Sequence, residues 1–163
     1  METTATPAIT FRRFEPGDEI AFRELNEVWI VRHFTLEEPD RKVLGDPANC
    51  ILKPGGEILM ATKDGRSIGC CALLYMEPGV YEVGKMTVHQ DFRGLGIGKQ
   101  LLDAVIGLAK QRGATKLFLE SNSKLQDAVH LYEAAGFRHL PPERVHPSPY
   151  ARSNVHMELL LSE

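Results

Sequence analysis

Apolar and polar residues alternate in short runs along much of the chain, and in three stretches the spacing lengthens to three or four. "AITFRRFEPGD" (8–18) alternates and then meets a Pro-Gly turn, which predicts a first strand. In "EIAFRELNEVWIVRHF" (19–34), Ile20, Phe22, Leu25, Val28, Trp29 and Ile30 recur near helical spacing, and Asp18 is placed to cap that helix. "LEEPDRKVLGDPANCILKPGG" (36–56) shows no sustained period. It predicts one short helix around Arg41 to Leu44, broken by Gly45 and Pro47, within a long loop of the kind that borders binding sites. "EILMATKDGRSIGCCALLYM" (57–76) is two apolar runs about Asp64-Gly65, a hairpin signal.

"VYEVGKMTVHQ" (80–90) returns to period two and predicts a strand whose Glu82, Gly84, Met86 and Val88 share one face. Lys85 then falls on the other side, toward solvent. In "KQLLDAVIGLAKQRG" (99–113), Leu101, Leu102, Val105, Leu108 and Ala109 form one stripe, and Gly113 ends the helix. "TKLFLES" (115–121) is a strand. "LQDAVHLYEAAG" (125–136) is a helix with Leu125, Ala128, Val129, Tyr132 and Ala135 inward and Gly136 closing it. "NVHMELLL" (154–161) is a final strand. The order is strand, one or two helices, three strands, helix, strand, helix, strand. It predicts one α/β (α+β) domain over 1–163, a mixed and mostly antiparallel sheet with helices on both faces, and a flexible segment at 1–8.

Composition narrows the function. The net charge of -3 offers no broad basic field, so neither nucleic acid nor an anionic membrane is an expected partner. Three cysteines, Cys50, Cys70 and Cys71, have no disulfide spacing, and the last two point to opposite faces of a strand as buried thiols. The N-terminal residues show no signal-peptide pattern, and the expected location is the cytoplasm. The six histidines form no H-x-x-x-H grouping and the cysteines no C-x-x-C, so no metal is expected.

The chemistry begins at "DFRGLGIGKQLL" (91–102), where Gly94, Gly96 and Gly98 crowd the start of a helix. Glycine costs about 1 kcal/mol in a helix interior. A glycine turn at a helix N-terminus, however, exposes unpaired backbone N–H groups to which an anion can bind closely. The stretch fits a diphosphate cradle, with Arg93 and Lys99 adding charge. The Walker pattern fails at Arg93 and Gln100. The dinucleotide pattern G-x-G-x-x-G fails at Lys99 and Leu101, although Glu120 lies at a suitable distance for a ribose. R-x-x-G-x-G is met by Arg93, Gly96 and Gly98.

With that loop, "LYEAAGFR" (131–138) and "ESNSKLQDA" (120–128), the chain resembles the GNAT superfamily of acetyl-CoA-dependent N-acetyltransferases from about Tyr81 to Arg138. The resemblance implies a splayed strand pair with coenzyme A in the V. The strand around Met86, Thr87 and Val88 would pair with pantetheine, and the amides of Gly94, Leu95, Gly96, Ile97, Gly98 and Lys99, beside Arg93, would hold the pyrophosphate. Asn122 matches the family asparagine that contacts the pantetheine arm or a water. The helical stripe alone reads Asn122 as a helix-start residue and Tyr132 as a core aromatic.

Acetyl transfer to an amine raises two proton problems. An alkylamine of pKa near 10.4 is neutral in about 1 molecule in 2,500 at pH 7, a deficit of roughly 4.6 kcal/mol. The departing thiolate also accepts a proton. Tyr132 matches the family's acid, and Glu82 stands where some members carry a base. His146, Tyr150 and Arg152 lie on a stretch whose residues by themselves read as a solvated, proline-stiffened loop; the resemblance implies instead that it and the loop around residues 34 to 55 wall the acceptor pocket. The expected reaction is transfer from acetyl-CoA to a primary amine, on a small molecule or a protein, by direct attack in a ternary complex. An acyl-CoA sensor without catalysis and a nucleotide-binding domain are the competing readings. Members of the superfamily often pair, so a homodimer is a further expectation.

Overall fold

The computed structural model describes residues 9–161, so the expectation for 1–8 lies outside the described residues. A hairpin forms the second and third strands of the sheet. β2 (Glu57–Lys63) and β3 (Arg66–Glu77) are antiparallel about Asp64 and Gly65, which take the left-handed φ values of 53° and 78° that such a two-residue turn requires. β1 (Thr10–Arg13) pairs with β2 on one side, and β4 (Val80–Val88) with β3 on the other. The chain then crosses through α3 (Ile97–Gln111) to β5 (Lys116–Ser121), which runs parallel to β4. After α4 (Gln126–Ala134), two strands complete a seven-stranded sheet of order β1-β2-β3-β4-β5-β7-β6. They are β6 (Arg138–His139) and β7 (Val155–Leu160). The β4–β5 pair is the parallel one; all others are antiparallel. β6, two residues long, is too short to show any period and was not predicted.

Each face of the sheet carries its own core. Leu101, Leu102, Val105, Leu108 and Ala109 of α3 are all buried against Leu73, Val83, Leu117 and Leu119, as their spacing predicted. α1 (Glu19–His33) and α2 (Glu38–Gly45) cover the opposite face with Phe22, Ile30 and Leu44, against Ile58, Met60 and Cys70. Cys70 and Cys71 are free and belong to different faces.

Three local expectations are corrected. Asp18 precedes α1 but does not cap it with its side chain, because its carboxylate takes Arg12 at 2.7 and 3.0 Å and the amide of Glu15 at 2.8 Å. The inner stripe of α1 is Phe22, Asn26 and Ile30, while Ile20 and Val28 are exposed. Asn26 is tolerated there because its amide donates to Phe22 O and Cys70 Sγ. The third correction concerns β4, whose period of two is broken. Ala72 pairs with Gly84 and Cys70 with Thr87, so β4 carries one extra residue there, at Lys85, whose φ is 52°. Glu82, Gly84 and Thr87 therefore face α1 and α2, whereas Met86 and Val88 pack on the α3–α4 side.

Candidate active site

The bulge at Lys85 opens the sheet. β4 pairs with β5 only from Val80–Lys116 to Val83–Leu119. Beyond that point β4 continues against β3 to Val88, and β5 continues against β7 to Ser121. The strands diverge, and β4 from Gly84 onward has no strand partner on that edge among the described residues. A cavity of about 800 Å³ lies there, lined among others by Glu82, Met86, Thr87, Val88, Asn122 and Tyr132.

Glu82 and Tyr132 flank the opening from opposite faces. Glu82 lies opposite Leu74 on the α1–α2 side. Burial pushes its carboxyl up to about 7; Glu120 adds to this, and Lys85 opposes it. Tyr132 projects from α4 into the α3–α4 core, with its ring edge-on to Phe137 at 6.1 Å. Burial raises the phenol above its ordinary value, with Cys71 adding to the effect, so it stays protonated across physiological pH.

The glycine turn sits at the start of α3. Gly94 and Gly96 have φ values of 77° and 79°, which side-chain-bearing residues avoid, and a Cβ on either would meet nothing within 4 Å. Gly96 caps α3 with no side-chain hydrogen bond, leaving the first-turn amides of Ile97, Gly98 and Lys99 to a ligand. The Ile97 side chain is buried and anchors the turn to the core. Leu95 is exposed. Arg93 lines the cavity and donates from Nε to Val88 O at 3.0 Å, while Lys99 pairs with Asp103 at 3.1 Å. Burial and the cations Arg93, Arg32 and Lys124 lower the pKa of His33, so this end of the cavity carries a positive field suited to an anion.

Asn122 donates to Arg152 O at 2.7 Å and accepts from the Lys124 amide at 2.8 Å, so its side chain ties β5 to the loop before β7. That loop is docked rather than solvated. Tyr150 and Arg152 line the cavity, whereas His146 is exposed and does not. Lys85, expected toward solvent, instead turns inward, its side chain 9% exposed. Its ammonium donates to Asp40 Oδ1 at 2.8 Å and to the Tyr150 hydroxyl at 3.1 Å. Arg152 grips the fully buried Asp40 with two bonds of 2.7 Å and also reaches Glu37. Burial by itself raises the Asp40 carboxyl, but the bonds from Arg152, Lys85 and the Glu37 amide outweigh it and bring it down to about 2. Sequence reasoning missed Asp40, because a charge run reads as a solvated face. The available signal was its position three residues after Glu37, where it accepts the Glu37 amide at 2.9 Å and caps α2.

Two features fit a polar, elongated ligand. Thr87 Oγ1, which lines the cavity, is the one buried side-chain polar atom without a partner among the described residues. The glycine turn presents open backbone beside it in sequence. Among the described residues there is no group of three or more His, Cys, Asp or Glu suited to a metal ion, and no helix is long and apolar enough to cross a membrane.

The family model described as "Acetyltransferase (GNAT) family" matches residues 19–137. An uncharacterised N-acetyltransferase of Schizosaccharomyces pombe is 30% identical over 153 residues, covering 91% of each chain. The fold resembles that of a GNAT-family acetyltransferase from Staphylococcus aureus Mu50, with a TM-score of 0.86 at 22% identity over 95% of this chain and 100% of the other. It also resembles a GNAT-family acetyltransferase from Elizabethkingia anophelis with acetyl-CoA bound, with a TM-score of 0.71 at 22% identity over 94% and 98%. An open strand pair above a glycine-capped helix is the architecture of an acyltransferase. The chain belongs to the GNAT family of acetyltransferases and is an N-acetyltransferase of that type.

Proposed function

We propose that the protein transfers an acetyl group from acetyl-CoA to a primary amine by direct attack in a ternary complex. The observation that carries this reading is the unpaired β4–β5 opening, with a carboxyl of raised pKa on one side and a buried phenol on the other. The thioester, when bound, supplies the acyl carbon and a sulfur leaving group. The free edge of β4 around Met86, Thr87 and Val88 offers strand-like hydrogen bonds to pantetheine, and the amides from Gly94 to Lys99 offer N–H groups to the diphosphate. Asn122 stands beside that path.

Glu82 takes the proton from the amine as the N–C bond forms. An ordinary glutamate receives a proton from an alkylammonium at a cost of roughly 8 kcal/mol. A carboxylate raised to about 7 receives it at roughly 5 kcal/mol, directly or through one water. As the C–S bond breaks, the Tyr132 hydroxyl donates its hydrogen bond and its proton to the sulfur. Starting from the ammonium, one nitrogen proton leaves by way of Glu82 to solvent and a second restores the Tyr132 hydroxyl, so the products are the acetylated amine, the free thiol and one proton. Cys70 and Cys71 are buried with raised pKa values and take no part as nucleophiles.

Isothermal titration with acetyl-CoA, ATP and NAD, followed by thiol release across a panel of amines, tests the reading. Tight acetyl-CoA binding and amine-dependent thiol release are expected. Binding without release on any amine would leave an acyl-CoA sensor, and no binding would remove both.

Two predictions follow from the proton donors and acceptors. Tyr132→Phe should lower kcat about 100-fold while changing acetyl-CoA affinity far less, because the ring packing is kept and only the hydroxyl is lost. An unchanged kcat would reduce Tyr132 to a packing residue. The second concerns pH. Glu82 must be ionised to accept a proton, so kcat/KM should gain one step on the acid side, rising as pH passes about 7. Glu82→Gln should remove that step, and a wild-type profile without it would contradict the role given to Glu82.

A further inference from the structure

Glu120 has no role in the chemistry above, yet it faces the same cavity. Phe118 is in register with Glu82, so Glu120, two residues on, projects from the same face of β5. Its Oε1 accepts from Ser148 Oγ at 2.5 Å and from Ser153 Oγ at 2.8 Å. Both serines belong to the loop that Arg152 clamps to Asp40 and that the Ala151 amide clamps to Glu37. The remaining oxygen of Glu120 and the carboxyl of Glu82 are not sealed in the protein, since Thr87 Oγ1 is the one buried orphan among the described residues. They open on the cavity that both residues line.

Two carboxylates on one cavity face call for a cation, and the nearby protein cations are already engaged. Lys85 Nζ is held by Asp40 and Tyr150, and Arg152 by Asp40 and Glu37. The unpaired Thr87 hydroxyl lies on the same face of β4 as Glu82, because their partners Cys70 and Leu74 share a face. It independently marks this side of the cavity as a place where a ligand completes the hydrogen bonding. On the α1–α2 side the cavity wall includes the apolar groups Trp29, Ile30, Phe34, Val43 and Leu74.

Resting on the acetyl-transfer reading above, we propose that Glu120 binds the ammonium of the acceptor beside Glu82, and that the acceptor is an amine with an apolar body and no carboxylate on the carbon bearing its nitrogen. A carboxylate at that carbon would lie within a few ångströms of the two glutamates, whose neighbouring cations Lys85 and Arg152 are already paired with Asp40 and Glu37, so the site disfavours α-amino acids by charge. Ser148 and Ser153 position Glu120. They fix one oxygen and leave the other for the ammonium.

The test compares amines with the amino acids that differ from them by the carboxylate alone. The pairs are 2-phenylethylamine with phenylalanine and 3-methylbutylamine with leucine, measured by thiol release at saturating acetyl-CoA. Wild-type protein should show kcat/KM at least about tenfold higher for each amine than for its amino acid. Glu120→Gln should raise the amine KM about tenfold, more than it changes kcat, and leave the Kd of acetyl-CoA as it was. Glu120→Asp, which keeps the charge, should recover part of the loss. Equal or better use of the amino acids would overturn the proposal, and so would an unmoved amine KM in a folded Glu120→Gln protein. A protein that binds acetyl-CoA but neither acetylates nor binds any of the amines also overturns it. Failure to bind acetyl-CoA at all removes the functional reading itself, and this proposal with it.

Discussion

Replacing Gly96 by glutamate should weaken acetyl-CoA binding more than 1,000-fold while leaving the fold in place. At φ 79° an L side chain is strained, at about 1–2 kcal/mol. The new Cβ meets no protein atom within 4 Å, so the side chain is free to stand over the amides it is meant to spoil. Its charge would then lie close to the diphosphate, where two like charges at 4 Å repel by about 4 kcal/mol in a partly solvated site. The strain falls on stability with or without ligand, whereas the repulsion, about 4 kcal/mol for each phosphate charge so placed, reaches the roughly 4 kcal/mol that a 1,000-fold change requires. Gly96→Ala is the control, since it keeps the strain without the charge and should lower Tm more than it changes acetyl-CoA affinity. Titration calorimetry of both variants decides the matter. A glutamate variant that binds acetyl-CoA within threefold of wild type would show that the ligand does not use this turn.

Asp40→Ala should destabilise the protein by roughly 3–5 kcal/mol, because it leaves the Lys85 and Arg152 cations without the carboxylate that both share. For a chain of this size that is a fall of about 10 °C in Tm. Glu38→Ala, two residues away on the same helix and exposed, should move Tm by a degree or less. The loss should reach the active site as well. Asp40 holds the ammonium of the left-handed Lys85 that bends β4, and it holds Arg152 of the loop carrying Ser148 and Ser153. The pH dependence has a definite sign. A carboxyl lowered from its ordinary value to about 2 stabilises the fold fully above about pH 4, and the contribution is lost as pH falls through 2. Thermal melts from pH 7 to pH 2 should therefore show the difference between wild type and Asp40→Ala shrinking only below pH 4. A Tm within two degrees of wild type at pH 7 would mean that the network is dispensable.

How much of this was legible in one sequence differs by feature. The α3 stripe from Leu101 to Ala109 was legible because a buried helix face has a fixed period. The Asp64-Gly65 hairpin was legible because its turn demands two left-handed residues. The glycine turn was legible for a related reason, since backbone that binds a ligand must lack side chains. β4 was misread on one point. A bulge adds a residue without leaving any mark in the hydrophobic pattern, so Met86 and Val88 were placed on the face of Glu82 when they lie on the other. Asp40 and Glu120 were out of reach because their significance comes from partners 28 to 112 positions away.

The sequence alone determined the order of elements, both helix-covered faces of the sheet and the glycine turn that opens α3, because each follows from local periodicity or from the backbone freedom of glycine. Tertiary structure alone decided where β4 parts from β5, that Glu82 and Tyr132 stand across that opening, and that Lys85 turns inward to Asp40. These depend on register and on burial among residues remote in the chain. Local composition carries no information about which distant charge will share a low-dielectric site, and that burial and sharing raise the pKa of the Glu82 carboxyl.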